Sequence, residues 1–128
     1  MALDRNLSIL IVDDQATMRR IVRGLLGQLG FQNVDEADDG PVALTKMQAK
    51  AYGLVLCDWN MDAMSGLELL QEVRATKSFE KLPFILVTSE NSAENVLAAK
   101  QAGVSNYIVK PFSVDTLKSK LSTVMGPL

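Results

Sequence analysis

The sequence predicts an α/β fold, a doubly wound five-stranded parallel sheet flanked by five helices. Three observations lead to this prediction: short apolar runs alternate with longer amphipathic segments, the apolar runs are nearly continuous, and no linker-like stretch divides the pattern. Continuous apolar runs are typical of parallel strands covered on both faces. Strands that alternate with helices form such sheets through right-handed crossovers. Ligands in these folds bind at the carboxyl ends of the strands, which is where a functional site is expected.

Five segments are candidates for the strands. Four of them are almost entirely apolar, whereas the second is more polar and fits an edge strand. The predicted strands are residues 9–12, 34–37, 54–57, 84–87 and 107–109.

Helical periods fill the segments between the strands. The first helix ends at Gly30, the second carries Pro41 in its first turn, and Ser65 with Glu68 forms a capping-box pattern at the start of the third. The fourth helix is predicted from about residue 92 to 102, and the fifth begins after Ser113. The apolar stripe predicted for the first helix consists of Met18, Ile21, Val22, Leu25 and Leu29.

Composition excludes several classes of protein. The net charge of -2 and the lack of a long basic run argue against nucleic-acid binding. No apolar run approaches the ~20 residues of a membrane span, and the N-terminus lacks the pattern of a secretion signal, so we expect a cytoplasmic protein. Cys57 is the only cysteine and there is no histidine, so any chemistry must use carboxylates, hydroxyls and lysines.

Polar side chains follow four of the five predicted strands, and the carboxyl ends of parallel strands share one edge of a sheet. For a single acid after a strand, capping of the next helix is the commoner explanation, and we expect Asp14 to cap the first helix as well as to serve a site. Four such coincidences are much harder to explain by capping. The residues concerned are Asp13 and Asp14, Asp58, Thr88 and Ser89, and Lys110 with Pro111.

Repulsion among the carboxylates of this predicted cluster indicates that a cation binds there. Two carboxylates about 4 Å apart repel by roughly 4 kcal/mol at an effective dielectric constant of about 20. Lys110 supplies one positive charge, and a divalent cation would balance the remainder, for which Mg²⁺ is the natural candidate among oxygen ligands. A hydroxyl and an ammonium beside a metal outline a phosphoryl-transfer site. Asp58, on the middle strand, is the expected nucleophile.

Four motifs, in this order along the chain, resemble those of response-regulator receiver domains: "ILIVDD", "LCDWNM", "ILVTSE" and "YIVKPF". The similarity runs from about residue 7 to 125 and is greatest to the single-domain chemotaxis regulators of that family. The resemblance implies a flavodoxin-like sheet with strand order 2-1-3-4-5, an order that the handedness rules alone do not provide.

The resemblance also implies roles for the acidic residues. Asp58 would be the phosphoacceptor, charged from the phosphohistidine of a histidine kinase. Asp14 and Asp58 would ligate Mg²⁺ directly together with the backbone carbonyl of Asn60, and Asp13 would act mainly through water. Asn60 and Glu90 match positions that tune hydrolysis of the phosphorylated state.

Further roles follow from the same resemblance. Thr88 and Lys110 would hold the phosphate oxygens, and Lys110–Pro111 would be a cis peptide. Thr88 and Tyr107 would switch the face formed by the fourth helix, fifth strand and fifth helix, which docks partners. Asp62 departs from the family pattern, because receivers usually carry proline there.

The implied partners are a CheA-like histidine kinase as phosphodonor, the flagellar motor switch as target, and a phosphatase as a further candidate. We expect a monomer in which residues 1–128 form a single receiver domain with no output domain. One alternative is a receiver that serves as a phosphate sink or scaffold in another pathway. Another is a small Mg²⁺-dependent phosphatase of the haloacid-dehalogenase type. Such enzymes carry Asp-x-Asp, whereas this chain has Asp58-Trp59-Asn60.

Overall fold

A computed structural model describes residues 5–89 and 92–126 of the chain and confirms the α/β fold. All strand pairs are parallel, and the sheet order is β2-β1-β3-β4-β5, as the family resemblance implies. The more polar β2 lies at an edge, as predicted. The strands are β1 (Ile9–Val12), β2 (Val34–Ala37), β3 (Leu54–Asp58), β4 (Phe84–Thr88) and β5 (Asn106–Val109).

Five helices connect the strands or follow the last one. The longest, α1, has 13 residues, and no helix in the described part of the chain combines the length and apolar character needed to cross a bilayer. A 3₁₀ turn at Lys77–Phe79 follows α3. The helices are α1 (Ala16–Gln28), α2 (Gly40–Ala49), α3 (Gly66–Ala75), α4 (Ala93–Gln101) and α5 (Val114–Met125).

The sheet separates two hydrophobic cores. Alternate residues of each strand point to opposite faces, so Leu10 and Val12 of β1 join the core under α2, α3 and α4. Ile9 and Ile11 join the core under α1 and α5. Because both faces are covered, the central strands are buried along their whole length, which explains why their sequences are continuously apolar.

Strand register brings the carboxyl ends of the strands to one edge. Val12, the last residue of β1, pairs with Cys57, so β1 ends one residue before Asp58 of β3. Thr88, the last residue of β4, pairs with Val109 of β5. The polar residues at and after these positions therefore converge on the same edge, as predicted from the sequence.

Local signals mark the helix ends as expected. Pro41 lies in the first turn of α2, and the Asp39 side chain accepts a hydrogen bond from the backbone N–H of Val42 at 2.8 Å. At α3 the capping box is complete: the Ser65 hydroxyl accepts from the Glu68 N–H, and the Glu68 carboxylate accepts from the Ser65 N–H, each at 3.1 Å. These bonds satisfy N–H groups that the first helical turn leaves without partners.

The prediction that Asp14 caps α1 is wrong. The residue at the cap position is Gln15, and its side chain makes no capping bond. The N–H of Gln15 is instead bound by a carboxylate oxygen of Asp13 at 2.9 Å. The chain enters α1 one residue later than expected, which leaves Asp14 exposed beside the sheet edge.

The predicted apolar stripe of α1 is also partly wrong. Ile21 is 50% exposed, whereas Val22 and Leu26 are buried against the sheet. Consecutive helical residues are separated by about 100°, so a helix that directs Val22 and Leu26 inward turns Ile21 towards solvent.

Candidate functional site

Three carboxylates meet at the carboxyl edge of the sheet. One oxygen from each of Asp13, Asp14 and Asp58 lies within 4.8 Å of the others. Asp13 and Asp58 are buried, at 4% and 6% exposure, and Asp14 is exposed. Mg²⁺ is bound in proteins by a small number of carboxylate oxygens and several waters. A donor set made only of oxygens, with one open side, fits that ion.

Lys110 extends into this acidic cluster from the end of β5. Its ammonium lies 2.6 Å from a carboxylate oxygen of Asp58 and 3.7 Å from one of Asp13. The Lys110 side chain is only 19% exposed, so solvent screens these interactions less than at an open surface. Three carboxylates against one ammonium leave the cluster negative when all four groups are ionised.

Asp13 is held in place by the first turn of α1. Its carboxylate accepts from the N–H of Gln15, and its backbone carbonyl accepts from the guanidinium of Arg19 at 2.7 Å. Burial raises the pKa of Asp13, and the charges of Asp58 and Asp14 act in the same direction, against the Gln15 N–H and Lys110. A cation bound among these oxygens would oppose the increase, because it favours the charged form.

Asp58 is fixed by backbone contacts on both sides of the strand end. The N–H of Trp59 donates to the carbonyl of Val87 at 2.8 Å, and the carbonyl of Trp59 accepts from the N–H of Gly66 at 2.8 Å. A Cβ on Gly66 would lie 2.4 Å from the carbonyl oxygen of Asp58. Only glycine therefore allows α3 to begin this close to Asp58.

Cys57 does not compete with Asp58 as a nucleophile. The thiol is fully buried, and its Sγ donates to the carbonyl of Asp58 at 3.3 Å. Burial raises the pKa of the Cys57 thiol well above its usual range, and the charges of Asp58 and Asp13 raise it further. Since the thiolate is the reactive form, Cys57 is an unreactive core residue.

A cavity of about 10 Å³ lies among the end of β4, β5 and α4. Thr88 at the end of β4 and Tyr107 on β5 both line it. The N–H of Lys110 donates to the carbonyl of Thr88 at 2.7 Å, which ties the ends of β4 and β5 together. The remaining lining residues are Trp59, Asn95, Val96 and Ala99.

The structure also locates the other residues selected from the sequence. Asn60 and Asp62 are exposed in the loop after β3, and the Lys110–Pro111 peptide bond is cis, as the resemblance implies. Glu90 lies outside the described residues. The four residues that the structure brings into one charged cluster are Asp13, Asp14, Asp58 and Lys110.

Sequence reasoning missed the residues that position this cluster. Arg19 lies on α1 and binds the carbonyl of Asp13, a role that was not predicted. Gly66 was treated only as part of a capping box, although its missing side chain allows the approach to Asp58. The available signal was a glycine, Gly66, directly after the cap residue Ser65, where a helix start does not itself require glycine. No local pattern indicated the role of Arg19.

Comparisons with known proteins agree with this geometry. The family model described as the response regulator receiver domain matches residues 9–122. The chain is 48% identical to chemotaxis protein CheY-3 of Vibrio cholerae serotype O1 over 126 residues, which cover 98% of this chain and 97% of that protein. It is 45% identical to chemotaxis protein CheY of Pseudomonas aeruginosa over 118 residues, which cover 92% of this chain and 95% of that protein.

Solved structures give the same result. The crystal structure of chemotaxis response regulator CheY4 of Vibrio cholerae has a TM-score of 0.86 and 32% identity, over 94% of this chain and 99% of that one. The receiver domain of a sensor histidine kinase of Pseudomonas aeruginosa, described with magnesium coordinated in its active-site cleft, has a TM-score of 0.84 and 26% identity, over 94% and 98%. The chain therefore belongs to the response regulator receiver domain family and is a receiver of the CheY type.

Proposed function

We propose that this chain is a phosphorylatable switch in which Asp58 accepts a phosphoryl group from the phosphohistidine of a histidine kinase. One observation carries the proposal: Asp58 ends the central strand in contact with Lys110 and within 4.8 Å of carboxylate oxygens of Asp13 and Asp14. A carboxylate beside an ammonium and further acids that could hold Mg²⁺ can act as a nucleophile towards phosphorus, because both cations would neutralise charge on the phosphoryl group.

Mg²⁺ would be held by the carboxylates of Asp14 and Asp58 and by the backbone carbonyl of Asn60, with Asp13 acting through water. The bound ion would neutralise negative charge on the phosphoryl oxygens. Asp13 is suited to orienting a water because the Gln15 N–H already occupies one of its carboxylate oxygens. The exposed Asp14 leaves the site open to the donor.

The transfer step forms a bond between an Asp58 oxygen and phosphorus and breaks the phosphorus–nitrogen bond of the phosphohistidine. The imidazole leaves and is protonated by water. Lys110, now paired with Asp58, would bind an oxygen of the incoming phosphoryl group, and the Thr88 hydroxyl would donate to another. Attack by water on the acyl phosphate would later restore the carboxylate, at a rate tuned by Asn60 and Glu90.

The output would be protein contact through the face formed by α4, β5 and α5. Thr88 and Tyr107 line one cavity, so movement of the Thr88 hydroxyl towards phosphate would alter the space beside the Tyr107 ring. The named relatives are chemotaxis proteins, which supports the flagellar motor switch as the target. A phosphate sink or scaffold in another pathway is the alternative, and it predicts no binding to the motor switch.

The first test uses Trp59, the only tryptophan. Adding Mg²⁺ and then beryllofluoride, a mimic of the phosphoryl group, should change Trp59 fluorescence in two steps. Incubation with an autophosphorylated histidine kinase should raise the intact mass of this protein by one phosphoryl group. Asp58→Asn should abolish the second fluorescence step and the mass increase, and Asp115→Asn, on the exposed side of α5, should change neither.

Two results would contradict the proposal. One is a mass that never increases with any competent donor, and the other is steady turnover of many phosphate esters, which indicates a hydrolase. Binding of the beryllofluoride form to purified motor-switch protein then separates the chemotaxis target from the sink or scaffold alternative.

A further inference from the structure

We propose that Gly40 is a positioning residue for the metal site, acting through Met64. Because Gly40 has no side chain, the Met64 side chain packs directly against its Cα. This contact sets the position of the β3–α3 loop (residues 59–65), which carries Asn60. The inference rests on the proposed role of the Asn60 carbonyl in holding Mg²⁺. It concerns a contact between α2 and this loop.

The β3–α3 loop is held firmly at its two ends. Trp59 is bound through its N–H to Val87 and through its carbonyl to Gly66, and Ser65 is fixed by the capping box. Between these ends, Asn60 and the two residues 62 and 63 are exposed. The half-buried Met61 and Met64 are the side chains of the middle segment that pack against the core.

Met64 lies directly on Gly40. A Cβ built on Gly40 would be 2.7 Å from the Met64 sulfur, 3.1 Å from its Cβ and 3.2 Å from its Cγ. Rotation about the side-chain bonds of Met64 could move the sulfur and the Cγ away from an added Cβ at Gly40. The Cβ of Met64 is attached to the backbone and cannot rotate away. An added methyl group at Gly40 would therefore push on the backbone of the loop.

The backbone conformation does not itself require glycine at position 40. The described glycines with positive φ are Gly30, Gly103 and Gly126, and Gly40 is not among them. Alanine would fit the helical conformation and would raise helix propensity. The requirement for glycine therefore comes from the space that Met64 occupies.

Helix α2 is poorly able to move aside. Gly40 follows the cap residue Asp39, whose carboxylate binds the N–H of Val42. Ala43 and Met47, one and two turns later, are buried in the core at 0% and 3% exposure. Strain introduced at Gly40 should therefore displace the middle of the loop, where Asn60 and residues 62 and 63 are exposed.

Displacement of the loop should affect Mg²⁺ more than it affects the fold. Mg²⁺ requires near-ideal octahedral geometry and tolerates misplaced ligands poorly. Changes in groups that orient metal ligands typically weaken binding about 10-fold to 100-fold. Gly40→Ala should therefore raise the Mg²⁺ dissociation constant by about 10-fold, while the three carboxylates stay in place.

The test measures Mg²⁺ affinity by titration calorimetry in a set of matched variants. Gly24→Ala is the control, because a Cβ there would have no neighbour within 4 Å, and its affinity should equal that of the wild type. Met64→Ala removes the sulfur and Cγ, so the loop loses its contact and affinity should fall by about threefold or more. Met64→Gly also removes the Met64 Cβ, so in the double variant with Met64→Gly, Gly40→Ala should cost much less than it does alone.

A second readout is independent of metal. Methionine methyl labelling should show a shifted Met64 resonance in Mg²⁺-free Gly40→Ala, and the Asn60 amide resonance should shift with it. Both should be unchanged in Gly24→Ala. These spectra report the displacement of the loop directly, whether or not the variant has lost stability.

Each outcome decides the proposal. Unchanged Mg²⁺ affinity in folded Gly40→Ala, or costs that add in the double variant, would overturn it. If Gly40→Ala does not fold, Met64→Ala carries the test, and wild-type affinity in that variant would overturn the proposal. Failure of the wild type itself to bind Mg²⁺ would instead contradict the proposed function, so the two failures are distinguishable.

Discussion

At the scale of single residues, Lys110 has two opposing effects on the site. Its ammonium contacts Asp58 at 2.6 Å and so reduces repulsion among the carboxylates. The same charge competes with any cation that binds those oxygens. Lys110 should therefore weaken Mg²⁺ binding and strengthen phosphoryl binding.

Replacing Lys110 by methionine should separate these effects. Mg²⁺ affinity should rise severalfold, because a positive charge a few ångströms from the ion contributes on the order of 1 kcal/mol or more. Phosphoryl uptake should fall, because the incoming oxygens lose their cation. Calorimetry measures the first and kinase-dependent mass change the second. Lys118→Met, on the exposed side of α5, is the matched control, and weaker Mg²⁺ binding in Lys110→Met would contradict this view.

Tyr52 is a second residue whose surroundings have a measurable effect. Its hydroxyl donates to a carboxylate oxygen of Asp35 at 2.7 Å. Burial, that hydrogen bond and the charge of Asp35 together raise the pKa of Tyr52 to about 12. An unfolded tyrosine ionises near pH 10.

The free energy of unfolding should therefore decline between about pH 10 and about pH 12. In this window the unfolded chain has lost the tyrosine proton while the folded protein retains it, so rising pH favours the unfolded state. Urea unfolding at a series of pH values should show this decline in the free energy of unfolding for the wild type. The decline should be absent in Tyr52→Phe. Tyrosinate absorbance in a Tyr107→Phe background measures the Tyr52 pKa directly, and a value near 10 would contradict the prediction.

At the scale of secondary-structure elements, the junction between β3 and α3 determines how Asp58 is presented. The strand ends at Asp58, and the capped helix begins at Gly66 after a loop of residues 59–65. The close approach of Gly66 to the Asp58 carbonyl means that the helix start and the strand end form one rigid unit. Backbone atoms on both sides leave no flexible group that could move aside.

Gly66→Ala should therefore destabilise the protein strongly. The new Cβ would lie 2.4 Å from the Asp58 carbonyl oxygen and 2.9 Å from the Trp59 Cα, and both are backbone atoms. Overpacking typically costs about 1–3 kcal/mol, and this case should reach the upper end. Gly27→Ala, where a Cβ meets nothing within 4 Å, should leave stability equal or higher. Urea unfolding gives both values, and equal stability of the two variants would contradict the prediction.

At the scale of the whole molecule, the two cores stabilise a fold that gathers like charges at one edge of its sheet. Burial raises the pKa of Asp13, so its ionised form is less favourable in the folded protein without metal than in the unfolded chain. The hydrophobic cores offset that cost. Ion binding at the edge should then add to the stability of the entire domain, since the unfolded chain has no preformed site.

Mg²⁺ and an acid-to-amide substitution should have opposite effects on stability. At 100 times its dissociation constant, Mg²⁺ should add about 2.7 kcal/mol to the free energy of unfolding of the wild type. Without metal, Asp13→Asn should be at least as stable as the wild type at neutral pH, because it removes an unfavourable buried charge. With Mg²⁺ the wild type should be the more stable of the two proteins. Thermal unfolding with and without the ion measures both, and an unchanged order would contradict the prediction.

Much of this fold could be predicted from local patterns. Continuous apolar runs identified the strands, and Pro41 and the capping box at Ser65 placed the starts of two helices. The strand-end positions of Asp13, Asp58 and Lys110 indicated a common site, because parallel strands end at one edge. The errors at Asp14 and Ile21 also have a local origin: a one-residue difference in helix entry and rotation reassigns side chains between the site, the core and solvent.

The sequence by itself determined the order of elements, the two-sided burial of the strands and the gathering of acids at one edge, because those features follow from the periodicity of neighbouring residues. Only the tertiary structure decided that Arg19 binds the Asp13 carbonyl, that Gly66 touches the backbone of Asp58 and that Gly40 receives Met64. Such contacts depend on ångström-scale distances between separately packed elements, and no periodicity along the chain encodes those distances.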